Sequence, residues 1–259
     1  MHGLGNDYLY IFGDAPVNVS KLSVKLSDRH FGAGSDGLIF ISASDTADFK
    51  MRIFNADGSE ARMCGNGIRC VGKYVYEKGY TDKTDLTIET LSGIKTLQLH
   101  TENGKVRRVT VDMGKTDVGE DKELYLVSGK MTVTPVSVGN PHAVIFTCNA
   151  EEIALDTLGP AVENCAAFPG GVNAEFIQVT GPQSLRMRVW ERGSGITMAC
   201  GTGACASAAA AVKKGYCRPD VPISVQLDGG ILQICVGPDY NVTMTGPAEI
   251  VYEGETAIC

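Results

Sequence analysis

Cys64-Gly65-Asn66-Gly67 recurs 136 residues later as Cys200-Gly201-Thr202-Gly203. Met-Arg-Ile-Phe at residues 51–54 precedes the first copy, and Met-Arg-Val-Trp at residues 187–190 precedes the second at the same spacing. A repeat this long has the size of a domain, whereas the repeats of solenoid proteins are roughly 20–50 residues long. The spacing therefore predicts two fused and related halves.

The repeat extends beyond these motifs and suggests domain boundaries. Gly5-Asn6 matches Gly139-Asn140 upstream, at a slightly shorter spacing. Residues 249–252 alternate like a strand but have no counterpart in the repeat, so we expect them to return to the first half. We predict an N-terminal half made of residues 1–114 and 247–259 and a C-terminal half made of residues 115–246.

Each half has the pattern of a strand-rich unit built around one helix. Alternating apolar residues predict short, mostly antiparallel strands, and the apolar spacing of residues 66–79 and 202–215 predicts helices that begin just after Cys-Gly. Residues 114–122 are polar and are predicted to be a linker. The expected fold class is α+β: two pseudo-symmetric β-rich domains, each wrapped around a central helix, with the active site in the cleft between them.

The composition is that of a globular protein in a reducing compartment. Of 259 residues, 44% are hydrophobic and 20% are charged, and the net charge of −7 argues against binding to nucleic acid or to acidic membranes. No stretch has the ~18 consecutive apolar residues of a membrane helix, and we expect no signal peptide. The nine cysteines, an odd number, are expected to be free thiols in the cytoplasm.

A cysteine at the start of a helix is suited to acid–base chemistry. The first N–H groups of a helix lack partners within it and carry a partial positive charge, which favours a thiolate. We therefore expect the pKa of Cys64 and of Cys200 to fall below the value of about 8.5 for a free thiol. The same N–H groups can bind a carboxylate, and the glycines let a ligand approach the backbone closely.

Two such thiols on opposite sides of one cleft fit a stereoinversion by two bases. One thiolate would remove the α-hydrogen of an amino acid, and the opposite thiol would return a proton to the other face. Neither motif contains the lysine of a pyridoxal Schiff base or the ligand spacing of a zinc site, so we expect no cofactor and no metal. The other cysteines lack a partner motif and are expected to be structural: Cys70, Cys148, Cys165, Cys205, Cys217, Cys235 and Cys259.

These motifs resemble those of the diaminopimelate epimerase family over essentially the whole chain. Six short regions carry the resemblance: residues 2–7, 55–58, 63–70, 139–142, 191–193 and 199–204. The resemblance implies a cofactor-independent interconversion of LL- and meso-2,6-diaminopimelate in lysine and peptidoglycan-precursor biosynthesis. It also implies a homodimer whose partner is this small molecule.

The resemblance assigns roles to individual residues. Cys64 and Cys200 would be the two acid/base residues, and each would take either role according to the direction of the reaction. His142 and Glu191 would adjust the acidity of the cysteines. The positions that bind the substrate would be Asn6, Asn55, Gly65, Asn66, Asn140, Asn173, Glu191, Arg192, Gly201 and Thr202.

The chain departs from the family pattern at two glycines. Gly37 stands where many members have Gln, and Gly171 stands where many have a basic residue, so we expect both side-chain contacts to be missing. The family also carries a few residues before the position of Met1, so the first strand is expected to lack its start.

Two other functions are compatible with the motifs. A proline or hydroxyproline racemase has a similar layout, although the start at residues 3–7 and Arg192, which suits a second carboxylate, argue against it. A redox switch or a thiol-dependent binding protein could use a Cys64–Cys200 pair, and such a protein would exchange no α-hydrogen with solvent.

Overall fold

The structure is a computed structural model that describes residues 1–127 and 129–257. The chain divides into two compact units, Met1–Asp112 with Gly246–Cys259, and Met113–Thr245. Both units are rich in strands, and the predicted α+β class is confirmed. Across the residues that the structure describes, no helix is long and apolar enough to cross a membrane.

The first unit consists of a two-stranded ladder, strands of a larger sheet and two helices that pack against them. Its elements, in chain order, are β1 (His2–Gly3), β2 (Asn6–Asp7), β3 (Leu9–Phe12), α1 (Val19–Ser27), β4 (Gly37–Ser42), β5 (Phe49–Asn55), β6 (Glu60–Ala61), α2 (Gly65–Glu77), β7 (Asp85–Thr90), β8 (Gly93–Glu102) and β9 (Lys105–Lys115). β3–β4 and β5–β7 are parallel pairs, whereas β4–β5, β5–β6, β7–β8 and β8–β9 are antiparallel.

The second unit repeats this design. Its elements, in chain order, are β10 (Asp117–Val118), β11 (Lys122–Leu126), β12 (Gly129–Ser137), β13 (Pro141–Phe146), α3 (Leu155–Glu163), β14 (Asn173–Gly181), β15 (Ser184–Glu191), β16 (Gly195–Ile196), α4 (Gly201–Lys213), β17 (Ile223–Leu227), β18 (Gly230–Val236) and β19 (Asn241–Gly246). β13–β14 and β15–β17 are parallel, whereas β14–β15, β15–β16, β17–β18 and β18–β19 are antiparallel. The order and direction of these pairings are those of β3 to β9, so the sequence repeat is a repeat of topology.

The central helices are shaped by the strands that surround them. Residues 204–211 of α4 are fully buried, because strands of its unit contact this helix on several sides. A helix enclosed in this way must be apolar all round, and alanine is small enough to let the strands approach. Gly72 likewise lets strands approach α2 closely, since a Cβ at this position would stand 2.9 Å from methyl groups of Leu97 and Leu99.

Two predictions about chain segments are wrong. Residues 249–252 form no strand, because only Glu249 bridges to His2, through N–H···O bonds of 2.9 Å in both directions. The segment 114–122 is not a plain linker: β9 continues to Lys115, Asp117–Val118 is β10, and β11 begins at Lys122. Strand pairing uses backbone groups, so polar residues on an exposed ladder along β12 do not prevent it.

None of the cysteines that the structure describes is in a disulfide bond. Cys70, Cys205 and Cys217 are buried, whereas Cys148 is exposed. Cys259 lies outside the described residues.

Candidate active site

Cys64 and Cys200 occupy the same place in their units, at the N-cap of a 13-residue helix. Both have extended backbone angles, with φ −137° and ψ 115° at Cys64 and φ −117° and ψ 108° at Cys200. Each sulfur accepts a hydrogen bond of 3.3 Å from the N–H of the third residue after it, Gly67 or Gly203. The thiol therefore does at each helix what a Ser or Asp usually does at an N-cap.

The two helices begin one residue earlier than predicted and end two residues earlier, at Glu77 and Lys213. Gly65, Asn66, Gly201 and Thr202 thus form the first turns. Their backbone N–H groups lie where a helix leaves donors without partners inside the helix, which is the usual place for binding an anion.

Asn6 links the Cys64 thiol to a pair of carboxylates in the first unit. The Cys64 sulfur lies 3.4 Å from Oδ1 of Asn6, and Nδ2 of Asn6 donates to Asp36 at 2.8 Å. Arg29 bridges Asp36 to Asp7 with contacts of 3.0 and 2.7 Å. Burial, and then the nearby Asp7 charge, raise the pKa of Asp36. Asn6 is therefore held in place from its far side by a carboxylate.

The remaining predicted residues of the first unit are also held by neighbours. Tyr8 donates to Oδ1 of Asn55 at 3.3 Å, and Nδ2 of Asn55 donates to Ser59 at 3.1 Å. Oδ1 of Asn66 accepts from the buried Arg69 guanidinium at 3.0 Å, so this side chain contacts its own helix.

The Cys200 thiol lies among polar side chains of the second unit. Its sulfur is 3.6 Å from the Thr202 hydroxyl, and the Glu191 carboxylate lies close enough to raise the pKa of this thiol. Glu191 also accepts from the Thr197 hydroxyl. Nδ2 of Asn140 donates to the same Thr202 hydroxyl at 3.3 Å. The structure thus brings four predicted residues together at the start of α4.

His142 connects this group to Glu175, which was not predicted. Nε2 of His142 lies 3.1 Å from Oδ1 of Asn140, and Nδ1 lies 2.7 Å from Oε1 of Glu175. His142 and Glu175 are both buried, on the neighbouring strands β13 and β14. Among the described residues, Oε2 of Glu175 has no hydrogen-bond partner.

Asn173 and Arg192 lie close together at the ends of β14 and β15. Oδ1 of Asn173 accepts from the Arg192 backbone N–H at 2.9 Å, and its Nδ2 donates to the Pro141 carbonyl at 3.2 Å. The exposed Arg192 guanidinium donates to the Gly170 carbonyl at 3.1 Å. The remaining guanidinium N–H groups can serve a planar anion.

The expectation of a lowered pKa is wrong for Cys200. Burial raises the pKa of this thiol well above its ordinary value, and the Glu191 and Glu175 carboxylates add to the rise. Hydrogen bonds from Thr202 and from the Gly203 N–H act in the opposite direction but are outweighed. Burial likewise raises the pKa of Glu191. A helix terminus alone was therefore a poor guide to the acidity of this cysteine.

Both departures from the family pattern are at crowded glycines. At Gly37 a Cβ would stand 2.1 Å from the Phe54 carbonyl oxygen, so no side chain fits without a shift of backbone. At Gly171, which has φ +79°, a Cβ would stand 2.8 Å from Cδ of Arg192. The absence of a side chain at position 171 therefore leaves room for the Arg192 chain where it now lies.

The comparisons with known sequences agree on one family. The sequence model described as Diaminopimelate epimerase matches residues 1–118 and 134–251. The chain is 50% identical over 271 residues to a diaminopimelate epimerase from Acetivibrio thermocellus, with 98% of this chain and 96% of the relative covered. It is 51% identical over 270 residues to one from Phocaeicola vulgatus, with 98% and 96% covered.

Solved structures with a similar fold have more distant sequences. A hydroxyproline epimerase from Agrobacterium vitis, with bound trans-4-OH-L-proline, has a TM-score of 0.74 and 17% sequence identity. The match covers 95% of this chain and 87% of that chain. At this identity the likeness shows the fold alone.

Proposed function

The chain belongs to the diaminopimelate epimerase family, and on that premise we propose that Cys64 and Cys200 interconvert LL- and meso-2,6-diaminopimelate as a pair of acid/base residues. Membership of the family makes the chain an epimerase, and hence an isomerase, that acts on a small molecule. The observation that supports the two-thiol mechanism is the matched cap geometry of Cys64 and Cys200, each with an N–H···S bond of 3.3 Å.

The proposed reaction moves one proton off the α-carbon and puts another on. The thiolate of one cysteine takes the α-hydrogen, and the electron pair of the broken C–H bond spreads into the substrate carboxylate. The thiol of the other cysteine then gives its proton to the opposite face of the carbon. Because burial and two carboxylates raise the pKa of Cys200, this cysteine is suited to be the donor in the direction in which Cys64 is the base, and the two exchange roles in the reverse direction.

The residues around each cysteine have the chemistry to bind such a substrate. N–H groups of the first turns, at Gly65 and Asn66 and at Gly201 and Thr202, would hold the carboxylate next to the reacting carbon and stabilise its growing charge. Arg192 would bind the distant carboxylate. Four amide side chains would bind the amino groups of the substrate and set its orientation: Asn6, Asn55, Asn140 and Asn173.

The arrangement of the whole enzyme follows from the same proposal. The two units would be the pseudo-symmetric halves, and the cleft between them would hold the substrate with one thiol on each face. The reaction would need no cofactor, because both proton transfers use thiols of the chain. We further propose a homodimer, as the family resemblance implies, and a cytoplasmic location, which the nine cysteines favour.

A racemase of proline or hydroxyproline is the less favoured alternative. Its support is a fold likeness at 17% identity, whereas the relatives at about 50% identity are diaminopimelate epimerases. Arg192 also gives the site a cation for a second carboxylate, which diaminopimelate has and proline lacks. A protein that served only as a Cys64–Cys200 redox switch would have no use for it.

The proposal is tested by following the conversion of LL- to meso-diaminopimelate by chiral chromatography with the purified protein. Conversion without added cofactor is expected, and none is expected with trans-4-hydroxy-L-proline. Cys148→Ser, at an exposed cysteine that caps no helix, is the matched control for substitutions at Cys64 and Cys200 and should keep full activity. Absence of conversion, or conversion of hydroxyproline alone, would contradict the proposal.

A further inference from the structure

Glu175 is a fully buried carboxylate that the mechanism above does not use. It is the third residue of β14, and its Oε1 lies 2.7 Å from Nδ1 of His142. Its Oε2 is buried and has no hydrogen-bond partner among the described residues. Burial of a carboxylate with one oxygen unpaired opposes folding, so this side chain calls for an explanation other than packing.

The carboxylate lies against the first turn of α4, beside the Cys200 thiol. A Cβ on Gly203 would stand 2.7 Å from Oε1 of Glu175 and 3.2 Å from the Cys200 sulfur. Gly203 thus leaves the space that lets a carboxylate oxygen and a thiol approach the same turn of helix. In a poorly hydrated site, a negative charge on the carboxylate that lies beside the thiol disfavours a second negative charge on the sulfur.

The first unit shows that the fold does not require a charge at this position. The third residue of β4 is Ile39, which lies 136 residues before Glu175 and is equally buried. A Cβ on Gly67 would stand 2.6 Å from Cδ1 of Ile39, so this side chain packs on α2 as Glu175 packs on α4. The same backbone position therefore carries an apolar side chain behind Cys64 and a carboxyl group behind Cys200.

We propose that Glu175 is a positioning residue that keeps Cys200 in the thiol form, acting through its charge against the first turn of α4 and through its hydrogen bond to His142. This proposal rests on the proposed function, because it assigns Cys200 the donor role at the start of the reaction. Ile39 places no charge behind Cys64. The two halves would then hold Cys64 as a base and Cys200 as an acid in nearly the same backbone conformation.

Other groups of the second unit also face Cys200. Glu191, at the end of β15, acts on the thiol through its charge, and His142 on β13 reaches the thiol through Asn140 and Thr202. Glu191 raises the pKa of Cys200 as Glu175 does. The experiment must therefore separate the effect of Glu175 from that of any carboxylate in the same unit.

The test follows the alkylation of Cys200 by iodoacetamide between about pH 6 and 10, by mass spectrometry of the peptide that contains it. Cys64→Ser is the background, so that only one thiol of the pair reacts. Glu175→Gln should raise the rate at pH 7 about tenfold, because a nearby negative charge is removed. Glu151→Gln, at a carboxylate whose side chain is 61% exposed in the same unit, is the matched control and should leave the rate unchanged.

Two further arms keep the proposal open to refutation. If circular dichroism shows that Glu175→Gln does not fold, Glu175→Ile copies the packing of Ile39 and should give the same increase. Glu175→Asp keeps the charge and should stay near the background rate. An unchanged rate in the neutral variants, or an equal rise in Glu151→Gln, would overturn the proposal. The assay needs no substrate, so failure to epimerise diaminopimelate would refute the proposed function and leave this result standing.

Discussion

Nδ1 of His142 lies 2.7 Å from Oε1 of Glu175, and both side chains are fully buried. The other ring nitrogen of His142 faces Asn140, which in turn contacts the Thr202 hydroxyl beside Cys200. A buried carboxylate is thereby connected, by side chains of three elements, to the thiol at the start of α4. The first unit connects Cys64 to a carboxylate by a shorter route, through Asn6 to Asp36.

Removing either thiol separates the two half-reactions. Cys64→Ser and Cys200→Ser should each lower epimerisation by at least about a hundredfold. The pKa of a serine hydroxyl is so high that the group stays protonated near pH 7 and cannot act as the base. Each variant keeps one thiol and should still abstract the α-hydrogen that faces it. With β-halogenated diaminopimelate isomers, halide release should therefore come from opposite stereoisomers in the two variants. The same stereoisomer preference in both would defeat the assignment.

Glu191 should make stability depend on pH in a defined direction. Burial raises the pKa of Glu191, so the folded chain keeps this proton to a higher pH than the unfolded chain, which loses it near about 4.3. The group's contribution to the free energy of unfolding is therefore lost as pH rises from that value through the raised pKa. The glutamine of Glu191→Gln does not titrate. The free energy of unfolding of this variant, relative to that of the wild type, should therefore increase between about pH 4 and pH 7.

Urea unfolding of both proteins at the two pH values measures this gain. Cys148→Ser serves as a variant in which neither the titrating carboxyl group nor its surroundings change. A difference between Glu191→Gln and the wild type that is the same at both pH values would show that burial does not raise the pKa of Glu191 in the folded chain.

Gly203 should tolerate no side chain without a loss of activity. In Gly203→Ala the new Cβ would press on Oε1 of Glu175 at 2.7 Å and on the Cys200 sulfur at 3.2 Å. Overpacking typically costs about 1–3 kcal/mol, and helix propensity returns about 1 kcal/mol, so activity should suffer more than stability. Gly181→Ala, where the nearest atom would be 4.0 Å away, is the control. Equal kcat values for the two variants would show that a Cβ at position 203 does not disturb Cys200 enough to lower activity.

A side chain at position 37 should be excluded by steric crowding rather than by the backbone φ angle. A Cβ there would stand 2.1 Å from the Phe54 carbonyl oxygen, whereas at Gly13, which also has a positive φ, it would meet nothing within 4 Å. Gly37→Ala should therefore lower the free energy of unfolding by about 2 kcal/mol or more beyond the loss in Gly13→Ala. Denaturant unfolding of the pair measures it. A stable Gly37→Gln with raised activity would instead show that the missing family side chain can be restored.

The sequence predicted the part of the site that depends on local chain geometry. Cys64 and Cys200 could be placed at helix starts because Cys-Gly-x-Gly precedes an apolar period of helical spacing, and because the motif occurs twice. The same reasoning failed for the acidity of Cys200, because burial of the thiol, followed by the charges of Glu191 and Glu175, raises its pKa, and these depend on the packing of the unit rather than on the Cys-Gly-x-Gly motif. Short strands such as β10 were missed because strand pairing, not composition, creates them.

Glu175 could have been found from the repeat. It is a charge between Ala174 and Phe176 in a strand whose first five residues are all buried, and the matching position of the first half is Ile39. A lone charge in an apolar strand is usually placed on an exposed face, so the alternation pattern concealed it. Alignment of the two halves, residue by residue, gives the signal that one half alone lacks.

Deuterium incorporation during the first few per cent of conversion tests the central claim most directly. LL-diaminopimelate is incubated with the enzyme in deuterated water. The product and the remaining substrate are then separated, and the deuterium content of each is measured by mass spectrometry. With two thiols, the meso product should carry one solvent deuterium at the inverted carbon, because the donor thiol has exchanged with solvent. The remaining LL isomer should carry almost none. Equal deuterium in both isomers, or a product without it, would contradict a mechanism in which Cys64 and Cys200 serve opposite faces.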